Sequence, residues 1–377
     1  EAQVEAAPCM LRFAFALGLL ALTTAVPVVS PPEEGKRLIQ FNQTGPAVWM
    51  THEELFAYLR HDHECSGFMD ITDHQHFHPS SLLPHPRIPT KAAHKSTVEA
   101  VISKLNTDRL IQSVTEMSTL FRPSRYYTTQ SAREAAIWLK GQYETYAAAK
   151  NRAVECELFE HEWTQPSVLC RMPGKTKPDE KVIIGGHIDS INLYNPSGGV
   201  APGADDDASG TSTVLEVFRA ITDSGIELDR TVEFHGYAAE EVGLRGSQDV
   251  AADYQKRDEA VAAMLQLDMT LYRADDTVSL VNDYVSKDLT ALLRQLVDTY
   301  CSVPWQDTEC GYSCSDHASW HKAGYVAAFP FETPFKKANP DIHTPDDLVK
   351  NLDPAHGLEY AKLAAAFAVE VASTTDQ

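Results

Sequence analysis

The sequence predicts a single globular α/β domain with a mixed, mainly parallel central β-sheet sandwiched by helices, preceded by a small N-terminal segment. Three observations predict it. Helical and strand-like periodicities alternate from about Lys91 onward. The strands are short and almost wholly apolar, as strands covered on both faces must be. The 377 residues exceed what one core usually holds, which leaves room for a separate segment.

The elements can be justified in order. Apolar residues at three- and four-residue spacing predict helices over 95–105, 107–120 and 130–149. Strand-like runs follow at 153–160 and 167–172. Val182-Ile183-Ile184 comes next and leads into Gly185-Gly186-His187. A helix is expected from Ala208 to Ile221, and strands fit Thr231–Tyr237, Ala262–Leu267 and Thr277–Val281. Helices fit Lys287–Tyr300 and Pro354–Ala372. This alternation implies a parallel sheet with helices on both sides.

Residues 1–25 read as an upstream extension and a secretory signal. Arg12 precedes an apolar stretch from Phe13 to Leu22, and Thr23-Thr24-Ala25 offers small residues for cleavage. The stretch is too short to span a bilayer. Residues 26–87 read as a propeptide. They hold a short helical pattern from Thr51 to Leu59 and a polar stretch with His61, His63, His74, His76 and His78, expected to be solvated. Pro79, Pro84 and Pro86 close it, in the exposed kind of sequence where cleavage concentrates. The main domain then spans 88–377. A secreted, extracellular monomer is expected.

Composition narrows the partners. With 53 acidic against 32 basic residues the net charge is −21, which argues against nucleic acid and against an anionic membrane surface. Seven cysteines fit an oxidising compartment. Cys310 and Cys314 flank Gly311 at a spacing that a tight loop can close with a disulfide. Cys156 and Cys170 lie on consecutive strands and can pair across them, whereas spacing leaves Cys65 and Cys301 open. Asn42-Gln-Thr is a glycosylation sequon; Asn195-Pro-Ser is blocked by its proline.

Ligands of open α/β sheets bind at the carboxyl ends of strands, and acids and histidines gather there. His187 and Asp189, two apart, point to one side of an extended chain; a carboxylate beside a histidine fixes the tautomer that binds metal. Asp205-Asp206-Asp207 repel one another in an apolar, Gly-rich setting. One or two can cap the helix that follows, but three are easier to explain with a cation. Glu240 and Glu241 diverge, so one can ligate while the other faces substrate as a base. Asp268 directly follows Leu267, and His343 sits in a proline-bounded loop. Nitrogen and carboxylate donors without ligating thiolates suit zinc or, with more oxygen, manganese or magnesium. Each piece alone could be a solvated turn or a helix cap.

Together, the runs GGHIDS, APGADDDASG, YAAEEVGLRGSQD, LQLDMT, CGYSCSDHASW and PDIHTPDD resemble those of the M28 metallopeptidases. The subgroup is that of the secreted leucine aminopeptidases of bacteria and filamentous fungi. The resemblance runs from about Lys91 to Gln377, and residues 26–87 also resemble the inhibitory propeptide of the fungal members. It implies a co-catalytic pair of zinc ions. His187 and Asp268 would be terminal ligands of one, Glu241 and His343 of the other, and Asp206 would bridge. Glu240 would be general base and acid for a metal-bridged hydroxide, and Asp189 would orient His187. Asp205 and Asp207 would be caps or supporting residues. Two zinc ions against three ligating carboxylates and a hydroxide give a nearly neutral centre, which a buried site tolerates.

The resemblance also implies peptide or protein N-termini as substrate, with large apolar first residues preferred. Further expected partners are the propeptide as inhibitor and a protease that removes it. Met269, Tyr312, Cys314, Phe329, Phe331, Phe335 and Ile342 are candidates for the apolar pocket. His317 and His321 are read as structural. Two rival readings share the fold: a single-zinc acyltransferase like the glutaminyl cyclases, and a non-catalytic binding ectodomain.

Overall fold

The sheet at the centre of the molecule is built from strands that are buried on both faces, apart from the edge strand Glu155–Phe159. The structure, a computed structural model, describes residues 35–43, 45–61, 67–75 and 86–374. The expected signal, the stretch with Pro79 and Pro84, Cys65, His63, His76 and His78 lie outside the described residues, as does the His61 side chain.

The chain begins with β1 (Lys36–Gln40), β2 (Val48–Thr51), α1 (His52–His61) and β3 (Met69–Asp70). The three strands form an antiparallel sheet ordered β2-β1-β3. Then come α2 (Lys95–Ile102), α3 (Thr107–Leu120), α4 (Gln130–Ala149), β4 (Glu155–Phe159), β5 (Ser167–Met172), β6 (Lys177–His187) and α5 (Ala208–Ser224). The middle of the chain gives β7 (Arg230–Tyr237), α6 (Arg245–Lys256), β8 (Ala260–Gln266), β9 (Val278–Val281) and α7 (Lys287–Tyr300). It finishes with β10 (Trp305–Thr308), α8 (His317–Lys322), β11 (Ala327–Ala328), β12 (Pro330–Phe331) and α9 (Pro354–Ala372).

The main sheet runs β11-β8-β6-β7-β5-β4. Its first three pairings are parallel and its last two antiparallel, so the expected mixed, mainly parallel sheet is present. A side sheet, β10-β9-β12, stands beside it.

Alternation along β6 shows how both faces are filled. Val182 and Ile184 enter one core with residues of α3, α4, α5 and α9, while Ile183 enters the other with Val250, Tyr254 and Trp320. Helices α5 and α9 are buried almost around their whole circumference. On the first face Arg109 of α3 ties itself to α5 and, through a 2.8 Å hydrogen bond to the Tyr146 hydroxyl, to α4. It donates to Glu216 at 2.6 and 3.1 Å and to Asp223 at 2.9 Å, and Glu216 is fully buried. Cys156 and Cys170 lie directly opposite in register and are bonded, as are Cys310 and Cys314. No helix among the described residues is long and apolar enough to cross a membrane.

Several elements escaped the sequence. α6 has few apolar residues, and Gly246, Ser247 and Gln248 make up half of its buried positions. The strands of the N-terminal segment were not foreseen either. That segment is no loose tail: Ile39, Leu55, Phe56, Leu59 and Phe68 pack with Tyr126, Ile191, Ala239 and Val242 of the main domain. His74, expected to be solvated, is instead drawn to Asp249 at 2.6 Å, which His161 contacts from the other side at 2.7 Å.

Replacing Arg109 by Met takes from the buried Glu216 carboxylate its hydrogen-bonded cation and leaves only Arg219, 4.0 Å away. Loss of a buried partner of this kind costs about 3 kcal/mol or more. Thermal unfolding at neutral pH should show the variant melting several degrees below the parent chain.

Candidate metal centre and active site

Every candidate ligand arrives from the carboxyl end of a strand or from a loop beside it. His187 ends β6, Asp268 lies two residues beyond β8, and Glu240 and Glu241 follow β7. Asp206 precedes α5, and His343 lies in the loop ahead of α9. Folding converges these positions into two donor groups that share one residue. His187, Asp206 and Asp268 form the first; Asp206, Glu241 and His343 form the second. Within each group the donor atoms lie within 4.8 Å of one another. The shared Asp206 directs Oδ1 to His187 Nε2 and Oδ2 to His343 Nε2, each at 2.9 Å. Glu241 Oε2 is 2.9 Å from His343 Nε2, and Asp268 Oδ1 is 3.6 Å from His187 Nε2.

The residues around this pair hold backbone rather than metal. Asp207 accepts from the backbone amides of His187 at 3.0 Å, Gly210 at 2.7 Å and Met269 at 3.1 Å, and so caps α5 while joining the ends of β6 and β8. Asp189 accepts from the amides of Glu240 and Glu241 at 3.0 and 3.2 Å. Its Oδ1 is also 3.4 Å from His187 Nδ1, although that nitrogen has no hydrogen bond of good geometry. Asp347 accepts from the amides of Asp205 and Asp206, at 2.9 and 3.1 Å. Ser315 Oγ donates to Asp268 Oδ2 at 2.5 Å, and Asn339 Nδ2 to Asp205 Oδ2 at 3.0 Å. Ala239, Met269 and His343 all adopt positive φ, between 55° and 59°. Such strain in non-glycine residues collects at functional sites, where surrounding bonds hold it.

A metal fits this arrangement. The donors are imidazole nitrogen and carboxylate oxygen. Burial pushes the Glu241 carboxyl up to about 7, and drives Glu240 well above its ordinary value. Glu241 Oε1 is buried without a hydrogen-bond partner. A cation would supply the missing charge and the missing contact. Beneath the acids lies Arg125, only 1% exposed. It donates to the carbonyls of Ile188 at 2.9 Å, Pro202 at 2.5 Å and Gly203 at 2.9 Å, which pins both loops that lead to the site.

Asp206, Glu240, Glu241, Asp268 and His343 face one cavity. Met269, Tyr312, Cys314, Phe331, Phe335 and Ile342 form its apolar wall. Phe329 does not line it. Alternate residues of one strand would share a face and put Phe329 beside Phe331 in the wall, but Pro330 follows a break: β11 pairs with β8 and β12 with β9. Phe329 therefore backs Phe331 in the core, 1% exposed, with its ring 4.8 Å from that of His317. His317 and His321 take no part in either donor group. Asp347 and Ser315 were missed by sequence reasoning. Asp347 stood in a quoted run, PDIHTPDD, and its place four residues after His343 was the available signal.

The fold and this centre together define a metal-dependent hydrolase. Peptidase family M28 matches residues 167–368, more than half of the chain, and the chain belongs to that family. It is 39% identical over 372 residues to a probable leucine aminopeptidase of Arthroderma benhamiae, covering 96% of this chain and 98% of the relative. Leucine aminopeptidase 1 of Aspergillus clavatus is 39% identical over 387 residues, covering 95% and 98%. The crystal structure of the LapA aminopeptidase of Legionella pneumophila superposes with a TM-score of 0.80 at 30% identity, covering 90% of this chain and 99% of LapA. Residues 88–377 supply only 290 of 377 positions, so that likeness reaches into the N-terminal segment. The protein is a metallo-aminopeptidase.

Asp207→Ala strips three backbone amides of their common acceptor. Hydrogen bonds to a charged group contribute about 1.5–3 kcal/mol each, with incomplete additivity. Calorimetry should register a loss of about 3 kcal/mol or more, and metal content per chain should fall, although Asp207 is itself in neither donor group.

Proposed function

We propose that the chain is a co-catalytic two-zinc aminopeptidase that removes large apolar residues such as leucine from peptide N-termini. The observation that carries this reading is Asp206, whose two oxygens face two separate histidines at equal distance. A single-zinc acyltransferase needs no such bridge.

His187 and Asp268 would hold one ion, Glu241 and His343 the other, and Asp206 both. When bound, zinc polarises a carbonyl and lowers the pKa of nearby water. The chain's own residues would do the rest. Glu240 lines the cavity without belonging to either donor group. Its carboxylate would take the proton from the attacking water as the C–O bond forms. It would pass that proton to the amide nitrogen as the C–N bond breaks. Asp189 would keep Glu240 in place through the backbone amide. The apolar wall would bind the first side chain and exclude water. The free α-amine, cationic at neutral pH, would rest among the carboxylates, which explains why an internal residue is refused.

Residues 26–87 would be an inhibitory propeptide. The support is steric: Leu59, Gly67 and Phe68 close the cavity from outside. Gly67 lies so flat on the Tyr312 ring that a Cβ there would fall 1.5 Å from a ring carbon. A processing protease would cut near residues 79–90. The apolar run after Arg12, the sequon at Asn42 and the two disulfides support secretion.

Glu240→Gln should cut hydrolysis of a leucine anilide by at least a hundredfold, as expected for a lost proton-transfer group, while metal content stays at two per chain. Activity that saturates at one zinc per chain in a metal titration of the stripped protein would overturn the two-metal reading.

The precursor should be weakly active, and limited proteolysis near residues 79–90 should raise its activity. Gly67→Val should raise precursor activity without any cleavage, since the added side chain cannot share space with Tyr312. A precursor as active as its cleaved product would refute the inhibitory role.

A further inference from the structure

The cavity has two apolar rims; the N-terminal segment packs along one of them and reaches the other only where Gly67 meets the Tyr312 ring. The wall with Met269, Phe331, Phe335 and Ile342 forms a cluster that includes no residue of the segment. The segment instead lays Leu55, Phe56, Leu59 and Phe68 on Tyr126, Ile191 and Val242, with Leu193 packed at the edge. Leu59, Phe68 and Leu193 also line the cavity that holds the acids. The covered face is therefore continuous with the catalytic cavity and opens from it on the side of Leu193 and Gly243.

Backbone groups on this face are already used in the way a peptide would use them. The Gly243 carbonyl accepts from the backbone amide of Asp70 at 3.1 Å. The Leu193 carbonyl accepts from Arg60 Nη1 at 3.3 Å, and the Leu193 amide donates to the carbonyl of His343 at 3.1 Å. The Gly243 carbonyl also accepts from Gln248 Nε2 at 2.9 Å, so departure of the segment would free one of its two acceptor positions, together with the Leu193 carbonyl, beside an apolar strip.

We propose that this face is the subsite for the residues that follow the scissile bond, and that it selects an apolar side chain at the second position of the substrate. The inference rests on the reading of residues 26–87 as a removable segment. The first side chain occupies the Met269 and Phe331 wall, and the chain beyond the bond emerges across Leu193 and Val242. Its amide donates to the Gly243 carbonyl, as that of Asp70 does in the precursor. The segment's own Leu and Phe residues show which chemistry the face accepts. The segment thus packs chiefly on the leaving side of the site and meets the first-residue wall only at Tyr312, through Gly67.

The test compares Leu-Phe-amide with Leu-Gly-amide as substrates of the cleaved enzyme. Burial of an apolar side chain separates substrates by about tenfold or more, so kcat/KM should favour Leu-Phe-amide by that factor. Leu193→Ser should lower the ratio at least threefold, Leu193→Met should keep it, and Val242→Ala should lower it as well. A wild-type ratio near one overturns the inference even though cleavage has raised activity, which leaves the propeptide reading intact. An uncleaved chain that hydrolyses Leu-Phe-amide as fast as the cleaved one overturns both.

Discussion

One buried carboxylate, that of Asp207, holds together the ends of two strands and the start of a helix. It accepts from the amides of His187, Gly210 and Met269, which belong to β6, α5 and the loop after β8. Asp268 directly precedes the Met269 amide, Asp206 directly precedes Asp207 itself, and His187 is a candidate ligand in its own right. The spacing of the centre is therefore set by backbone hydrogen bonds to an acid that is not a ligand. Asp189 extends the arrangement to the loop after β7, and Asp347 extends it to Asp205 and Asp206. A lattice of this kind positions side chains more sharply than packing alone, because each bond is directional and charged.

The same lattice concentrates negative charge in a dry interior. Burial raises Asp205 to about 6 and Asp316 to about 7. Arg125 offsets part of that charge from below, with a guanidinium that is satisfied by carbonyls rather than by a carboxylate. A fixed cation on one side and a place for metal on the other let the acids remain close. Metal affinity and fold stability are then linked, since removal of either positive source leaves like charges facing each other.

The sheet was legible because parallel strands must be apolar on both faces, and Val182-Ile183-Ile184 or Val261–Leu267 has no other simple reading. The donor residues were legible because polar side chains at strand ends interrupt those runs abruptly. What escaped depended on contacts far apart in sequence. The place of Asp347 beside His343 hints at the site but not at the amides of Asp205 and Asp206, 142 and 141 residues earlier, and Ser315 is likewise remote from Asp268 in sequence. Phe329 was misread because alternation holds only within one strand, and Pro330 hands the chain from one sheet to another. The N-terminal segment was read by composition, which reports polarity on average. It missed the consecutive Leu38 and Ile39 of β1, which enter two clusters with main-domain residues, although the helical pattern from Thr51 to Leu59 matches α1.

The order of synthesis acquires a meaning from the position of that segment. It is made before Tyr126, Ile191, Val242 and every other residue of the face it covers. His343 follows Asp206 by 137 positions, so the centre closes late, through contacts of long loop length. During that interval the growing chain carries the apolar strip of Tyr126, Ile191 and Val242. A tethered segment that is already present would shield the strip from other chains at a very high local concentration, and so act as a folding companion.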